Sequence, residues 1–268
     1  MPSARALSPA SPPAPARPTP RLTLKRTPML MLAIVMALPG RAGAEASPAE
    51  AARWLADADR FRMGEENLLV ETRVTTADKE RRYTVHAQSG RRSLVVMRSP
   101  AEQGQKVLML GDDFWLVMPG TQRPMRITPM QKLLGDASTG DIATLRWSED
   151  YAVTAVREAV CDDARACWQL DLAAQRTGVS YARIALWIGR TRHEPLRADL
   201  YVQSDRLAKQ ARFIADRPDA PTRIDAMVLT DQLGGGRQTR IDYLSRRPHV
   251  TPPAWFNPMV LTRQPMPE

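Results

Sequence analysis

Apolar side chains recur at every second position in many short runs after residue 67. In the runs 180–188 and 195–203, one parity is apolar while the other is richer in arginine, aspartate and glutamine. In the run 207–215, Ala208 and Ile214 indicate the apolar parity. This alternation predicts β-strands with one dry and one wet face. Because glycine, proline and aspartate separate the runs, the pattern is typical of an antiparallel meander.

About eleven to thirteen such runs occur, and a single sheet with that many strands should curl. The sequence Ser-Pro-Ala-Glu at 47–50 is a capping box with proline at the first helical position, and it predicts a helix that ends near Gly64. Apolar spacings of three and four residues predict short helices at 129–135 and 140–147. We therefore predict a mainly β, α+β fold: one curved antiparallel sheet, an N-terminal helix and a mid-chain helical insertion.

The first residues predict export. Basic residues precede an apolar run at 29–38, and residues 42–44 form an A-x-A cleavage site. We place cleavage after Ala44, so residues 1–44 are an N-terminal extension with a cleavable signal peptide and residues 45–268 are the mature domain. No cysteine follows the site directly, which predicts a periplasmic protein without a lipid anchor. An uncleaved signal anchor is the alternative.

The formal charge of +9 suggests nucleic-acid binding at first sight. Residues 1–44 contain six basic residues and no acidic residue, so the remaining chain has a charge of only +3. The remaining arginines lie beside Asp and Glu, as on a solvated surface. The sequence therefore predicts no nucleic-acid partner.

Cys161 and Cys167 are the only cysteines, and they flank the turn 162–165. In an oxidising compartment such a pair predicts a disulfide more readily than a metal site. A redox-active pair would need the C-x-x-C spacing, which is absent. We predict a structural disulfide hairpin.

Catalytic motifs are missing from the sequence. His86, His193 and His249 have no metal-ligand partner at i+2 or i+4, and no nucleophile elbow or phosphate-binding glycine loop occurs. The aspartate pairs at 112–113 and 162–163 lie at predicted turns, where Asp caps backbone groups. We predict no catalytic residues, no metal and no cofactor. A secreted hydrolase with a site assembled from distant residues is the alternative that nothing in the sequence supports.

The stretch from Arg98 to Asp141 combines an R-S-P-A-E start, a hairpin from Gly111 to Pro119 with a central tryptophan, an R-I-T-P turn at 126–129 and a closing Gly-Asp. In this order it resembles the LolA-like family of outer-membrane lipoprotein-sorting proteins. The resemblance extends more loosely over residues 47–261. It implies a half-open β-barrel around an apolar cavity, with helices as a lid, and a carrier of lipid or acylated protein instead of an enzyme.

Flexible apolar side chains crowd this stretch, and methionine suits surfaces that accept variable ligands. The predicted cavity residues are Met97, Met109, Phe114, Trp115, Met118, Met125, Met130, Leu133, Leu134 and Ile142. Each could equally fill a gap in an ordinary core. Arg98, Arg123 and Arg126 are predicted at the rim, where they would contact phosphate or acidic groups of a partner or simply be solvated.

The resemblance implies a soluble, monomeric periplasmic carrier that moves acyl chains of lipoproteins or lipids toward the outer membrane. Its partners would be an inner-membrane transporter, including exporters of the RND or MMPL type, and an outer-membrane acceptor. The length and the disulfide hairpin depart from the lipoprotein carrier proper and favour the broader lipid-transport group. The alternative is a sensor or regulatory module of the same fold, similar to periplasmic regulators of the envelope-stress sigma factor.

Overall fold

The computed structural model describes residues 46–64, 66–128, 141–142, 146–161 and 164–263, all within one compact unit. The predicted signal peptide and the predicted lid helix at 129–135, with Met130, Leu133 and Leu134, lie outside the described residues.

A single antiparallel sheet of thirteen strands dominates the described residues. The strands are β1 (Leu68–Thr75), β2 (Glu80–Gln88), β3 (Arg92–Met97), β4 (Lys106–Leu110), β5 (Asp113–Val117), β6 (Met125–Ile127), β7 (Tyr151–Val160), β8 (Ala166–Ala174), β9 (Arg183–Gly189), β10 (Pro195–Tyr201), β11 (Leu207–Ala215), β12 (Ile224–Asp231) and β13 (Gln238–Pro248). Their order is β6-β5-β4-β3-β2-β1-β13-β12-β11-β10-β9-β8-β7, so β1 joins β13 in the middle and the sheet is open. The predicted meander of eleven to thirteen strands is confirmed.

The described helices are α1 (Pro48–Met63), α2 (Trp147–Asp150) and α3 (Pro258–Leu261). The Ser47 hydroxyl accepts the Glu50 N–H at 3.3 Å, and the Glu50 carboxylate accepts the Ser47 N–H at 2.9 Å, which confirms the capping box. Short 3₁₀ turns occupy Pro100–Glu102 and Pro253–Phe256. Among these helices none combines the length and apolar character needed to cross a bilayer.

The predicted helical turn at 140–147 is only partly correct. Asp141 and Ile142 are helical, but Arg146 has extended backbone angles and Trp147 begins α2 instead of ending the earlier turn. The reason is a tertiary contact, because the Asp59 carboxylate of α1 accepts the Trp147 N–H at 2.9 Å and so caps α2.

Contacts between distant strands show that the sheet curls. Arg91, in the turn between β2 and β3, pairs at 2.6 Å with both Asp112 of the β4–β5 turn and Asp150, the residue before β7. Gly178, between β8 and β9, lies so close to Asp112 that an added Cβ would be 2.2 Å from its side chain. Because β4 and β8 lie toward opposite ends of the strand order, only a curved sheet can bring them together.

The inner face is the face covered by α1. Leu55, Ala58 and Met63 of α1 are buried in the same cluster as the inward side chains of most strands. The outer face is not uniformly wet, because Phe256 and Leu261 cover an apolar patch on β3, β4 and β5 that forms a second cluster. The C-terminal segment is thereby docked on the outer face of the sheet.

Cys161 and Cys167 form a disulfide with Cα atoms 6.0 Å apart, which confirms the predicted pairing. The bond closes the loop that joins β7 to β8.

Replacing Cys161 and Cys167 together by serine should lower the free energy of unfolding by about 2 kcal/mol, because a short cross-linked loop restricts the unfolded chain. Urea denaturation of the oxidised protein and the double variant measures the difference. Equal midpoints and slopes would contradict a structural role. Non-reducing peptide mapping of the starting material serves as the control, since it must show one cross-linked peptide.

Candidate functional site

The floor of the site is a row of apolar side chains that crosses five strands of the inner face. Leu170, Leu186, Ala198, Ala211 and Leu229 stand opposite one another in register from β8 to β12. All five are at most 2% exposed. The third and fourth members are alanines, and the small side chain of Ala211 borders an open space.

A cavity of about 40 Å³ lies beside Ala211. The inner face of the sheet contributes Ile184, Leu200, Phe213, Met227 and Leu229, while Arg62 and Trp147 border the cavity from the helices. A space of this size accepts only a few water molecules. An acyl chain can therefore enter only if the elements over the floor move.

A buried ion pair fastens one of these covering elements. The Asp141 carboxylate lies 2.5 Å from Lys209 Nζ on β11, and the two side chains are 2% and 5% exposed. The Tyr181 hydroxyl donates to the same carboxylate at 2.6 Å. Ile142, the next residue, is buried in the inner cluster. The segment at 141–142 is thus anchored to the floor by charge and not by apolar packing alone.

The predicted apolar parity of β11 is wrong at Lys209, whose side chain lies on the inner face of the sheet. Its register partners place Lys209, Ala211 and Phe213 on the inner face, because Lys209 faces Leu200 and Ala211 faces Ala198. Ile214 therefore belongs to the opposite parity, whereas Ala208, beside a shift in the strand register, is buried in the inner cluster. The alternation predicts a wet position for Lys209, and the inward position is stable only because the Asp141 carboxylate reaches the lysine.

A second buried polar cluster joins α1 to α2. The Asp59 carboxylate accepts the backbone N–H of Trp147 at 2.9 Å and that of Ser148 at 2.8 Å. The Arg62 guanidinium lies 3.9 Å from the centre of the Trp147 ring and 3.8 Å from Asp59. Burial raises the pKa of Asp59, while Arg62 and the hydrogen bonds oppose that change. These contacts position Trp147 at the edge of the cavity.

The predicted cavity residues divide between the two faces. Met97, Met109 and Phe114 belong to the inner cluster, as does Ile142. Met125 is 50% exposed on β6, opposite Leu116 of the inner cluster. Apart from Ile142, which is in the covering segment, these residues lie on β3 to β6, whereas the alanine-lined cavity is on the β8 to β12 half.

Two of the predicted residues are outside the inner face. Trp115 packs with the outer cluster, and Met118 lines a groove beside the C-terminal segment. Among the predicted rim arginines, Arg98 donates from Nε to the Thr84 hydroxyl at 2.9 Å and Arg126 pairs with Asp113. Arg123 is exposed. A ligand-binding role for any of these residues remains a prediction.

The open antiparallel sheet curled over a capped helix defines the class of protein as LolA-like. A family model of uncharacterized proteins matches residues 89–263, and the chain belongs to that family. No functionally curated protein matches the chain.

Several solved structures have the same fold as this chain. A LolA superfamily protein from Nitrosomonas europaea is 27% identical, with a TM-score of 0.67 over 77% of this chain and 97% of its own. A domain from Vibrio parahaemolyticus assigned to outer membrane lipoprotein sorting is 17% identical, with a TM-score of 0.62 over 81% and 100%. A DUF1329 family protein from Desulfovibrio piger is 22% identical, with a TM-score of 0.62 over 81% and 100%.

Proposed function

We propose that this protein is a periplasmic carrier that binds the acyl chains of lipoproteins or lipids against the inner face of its sheet. The observation that carries the proposal is the apolar floor with two alanines at its centre, beneath a cover fastened by the pair of Asp141 and Lys209. The fold shared with a LolA superfamily protein supports the same proposal.

The energetics of an acyl chain are consistent with such a floor. Each CH₂ group transferred from water to an apolar surface contributes about 0.8 kcal/mol. A carrier must cover many of these groups and then release them, so its cover has to open at moderate cost. A segment fastened by one ion pair can open and close as a unit, and closure restores a pair that water would otherwise screen.

The proposal extends to transport. After cleavage at Ala44 the protein would take its cargo from an inner-membrane transporter, with RND or MMPL exporters as the narrower proposal, and deliver it to an outer-membrane acceptor. It would act without catalysis and without a cofactor. Binding and release of the cargo would be its whole chemistry.

Filling the space above the floor should weaken binding. Ala211→Leu adds three carbon atoms to the middle of the row, so we expect at least tenfold weaker binding of a fluorescent fatty-acyl probe by the mature protein. The matched control is Arg212→Leu, the adjacent exposed position on the same strand, which should bind as the wild type does. Overpacking costs about 1–3 kcal/mol, so a thermal melt of each variant must show that it is folded.

Lipid extracted from the protein after purification from a bacterial periplasm gives an independent result. Mass spectrometry should detect bound acyl species in the wild type and less in Ala211→Leu. A wild type that neither contains lipid nor binds the probe would overturn the proposal.

A further inference from the structure

A groove of about 450 Å³ lies on the outer face, where the C-terminal segment passes the ends of β3, β4 and β5. One wall is apolar and includes Val117, Met118 and Leu261. The groove is ten times larger than the cavity on the inner face, and the sheet separates the two. Its size falls within the usual range of small-molecule sites, about 300–1,000 Å³.

The charged residues of this groove are all cations. Arg98, Lys106 and Arg263 line it, and within the described part of the chain no aspartate or glutamate does. The acidic residue nearest along the chain, Glu102, pairs with Arg81 at 3.3 Å. Among the described residues, the groove therefore combines apolar surface with a positive charge that no carboxylate of its lining balances.

Lys106 is the most unusual of the three cations. It is only 9% exposed, and its Nζ donates to the Leu261 carbonyl oxygen at 3.3 Å. No carboxylate among the described residues lies within ion-pair distance of it. A buried cation without a counter-ion is costly, and burial lowers the pKa of Lys106 accordingly. An anion in the groove would supply the missing charge.

Arg98 and Arg263 extend the cationic side toward solvent. The Nε of Arg98 donates a hydrogen bond to the Thr84 hydroxyl. The two terminal nitrogens of its guanidinium have no hydrogen-bond partner among the residues described. Arg263 is exposed. A planar guanidinium with free terminal donors is well suited to two oxygens of a phosphate group.

We propose that this groove binds one anionic lipid, with its phosphate beside Lys106 and Arg98 and the first part of its acyl chain along Val117, Met118 and Leu261. The charge complementarity and the apolar wall together favour a lipid over a free inorganic anion. The site is separate from the inner-face cavity, and its test does not depend on the carrier proposal.

The test is a titration of the mature protein with lysophosphatidylglycerol below its micelle-forming concentration. We expect saturable binding that Lys106→Met weakens about tenfold or more, since hydrogen bonds to charged groups contribute about 1.5–3 kcal/mol. Lysophosphatidylcholine and inorganic phosphate should bind at least tenfold more weakly than the anionic lipid. Lys106→Met removes a buried charge at nearly constant volume, so a thermal melt should show it as stable as the wild type.

Two further measurements separate this site from its alternatives. Nuclear magnetic resonance of the Lys106 side chain should show its pKa rising when lysophosphatidylglycerol binds, which a purely structural lysine would not show. Ala211→Leu, in the inner cavity, should leave this binding unchanged. Binding that Lys106→Met does not alter, that Ala211→Leu abolishes, or that inorganic phosphate reproduces would overturn the proposal.

Discussion

Replacing Asp141 by asparagine should lower the free energy of unfolding by about 3–5 kcal/mol, because it leaves Lys209 charged and buried without a counter-ion. The side chain keeps its size, so packing changes little. The Tyr181 hydroxyl can still donate to the amide oxygen. Urea denaturation of wild type and variant measures the loss. The same change should increase the association rate of a fatty-acyl probe, since it loosens the cover over the apolar floor.

Two controls distinguish the buried pair from a general effect of charge. The double variant Asp141→Asn with Lys209→Met should recover most of the lost stability, because no buried charge is then left unpaired. Asp205→Asn breaks the ion pair between Asp205 and Arg183, whose side chains are 74% and 39% exposed respectively. This exposed substitution should lower the free energy of unfolding by less than about 1 kcal/mol. A loss in Asp141→Asn as small as that in Asp205→Asn would contradict the anchoring role.

Lowering the pH from 6.5 to 4 should destabilise the protein by roughly 2–3 kcal/mol through His86 alone. Burial, with the positive charges of His249, Arg98 and Arg247, lowers the pKa of this histidine from 6.5 to about 4. The folded state therefore keeps His86 neutral while the unfolded chain takes up a proton. The contribution is fully present above pH 6.5 and is lost as the pH falls to the folded pKa.

His86→Gln tests this pH dependence. The glutamine can still bond to the Thr251 hydroxyl, which lies 3.1 Å from the His86 ring nitrogen. Urea denaturation at several pH values should show that the free energy of unfolding of the variant falls less steeply between pH 6.5 and 4 than that of the wild type. The two losses should differ by roughly 2–3 kcal/mol. Superimposable profiles, or a His86 ring that titrates near pH 6.5 by nuclear magnetic resonance, would show the interpretation to be wrong.

The cavity was the least predictable part of the site. The sequence drew attention to a cluster of methionines, three of which, Met97, Met109 and Met125, lie on β3, β4 and β6. The inner cavity instead lies beside Ala211, which stands opposite Leu229 across β11 and β12. Composition along the chain does not reveal which small side chains will stand opposite each other across strands.

The sequence by itself determined the elements with local causes. The capping box fixed the start of α1, alternation and turn residues fixed the strands, and the close spacing of Cys161 and Cys167 in an exported chain indicated their bond. Each of these depends on residues that are near neighbours along the chain, so their physical cause is visible in the sequence.

Only the tertiary structure decided the features that join distant residues. Three such features are the cap of α2 by Asp59, the ion pair of Asp141 with Lys209, and the ion pair of Arg91 with Asp150 across the curved sheet. Each links residues that are far apart in the chain. A polar side chain can be buried only where its partner arrives, and that depends on how the whole sheet curls. For the same reason, the groove around Lys106 exists only once the C-terminal segment has packed on the outer face.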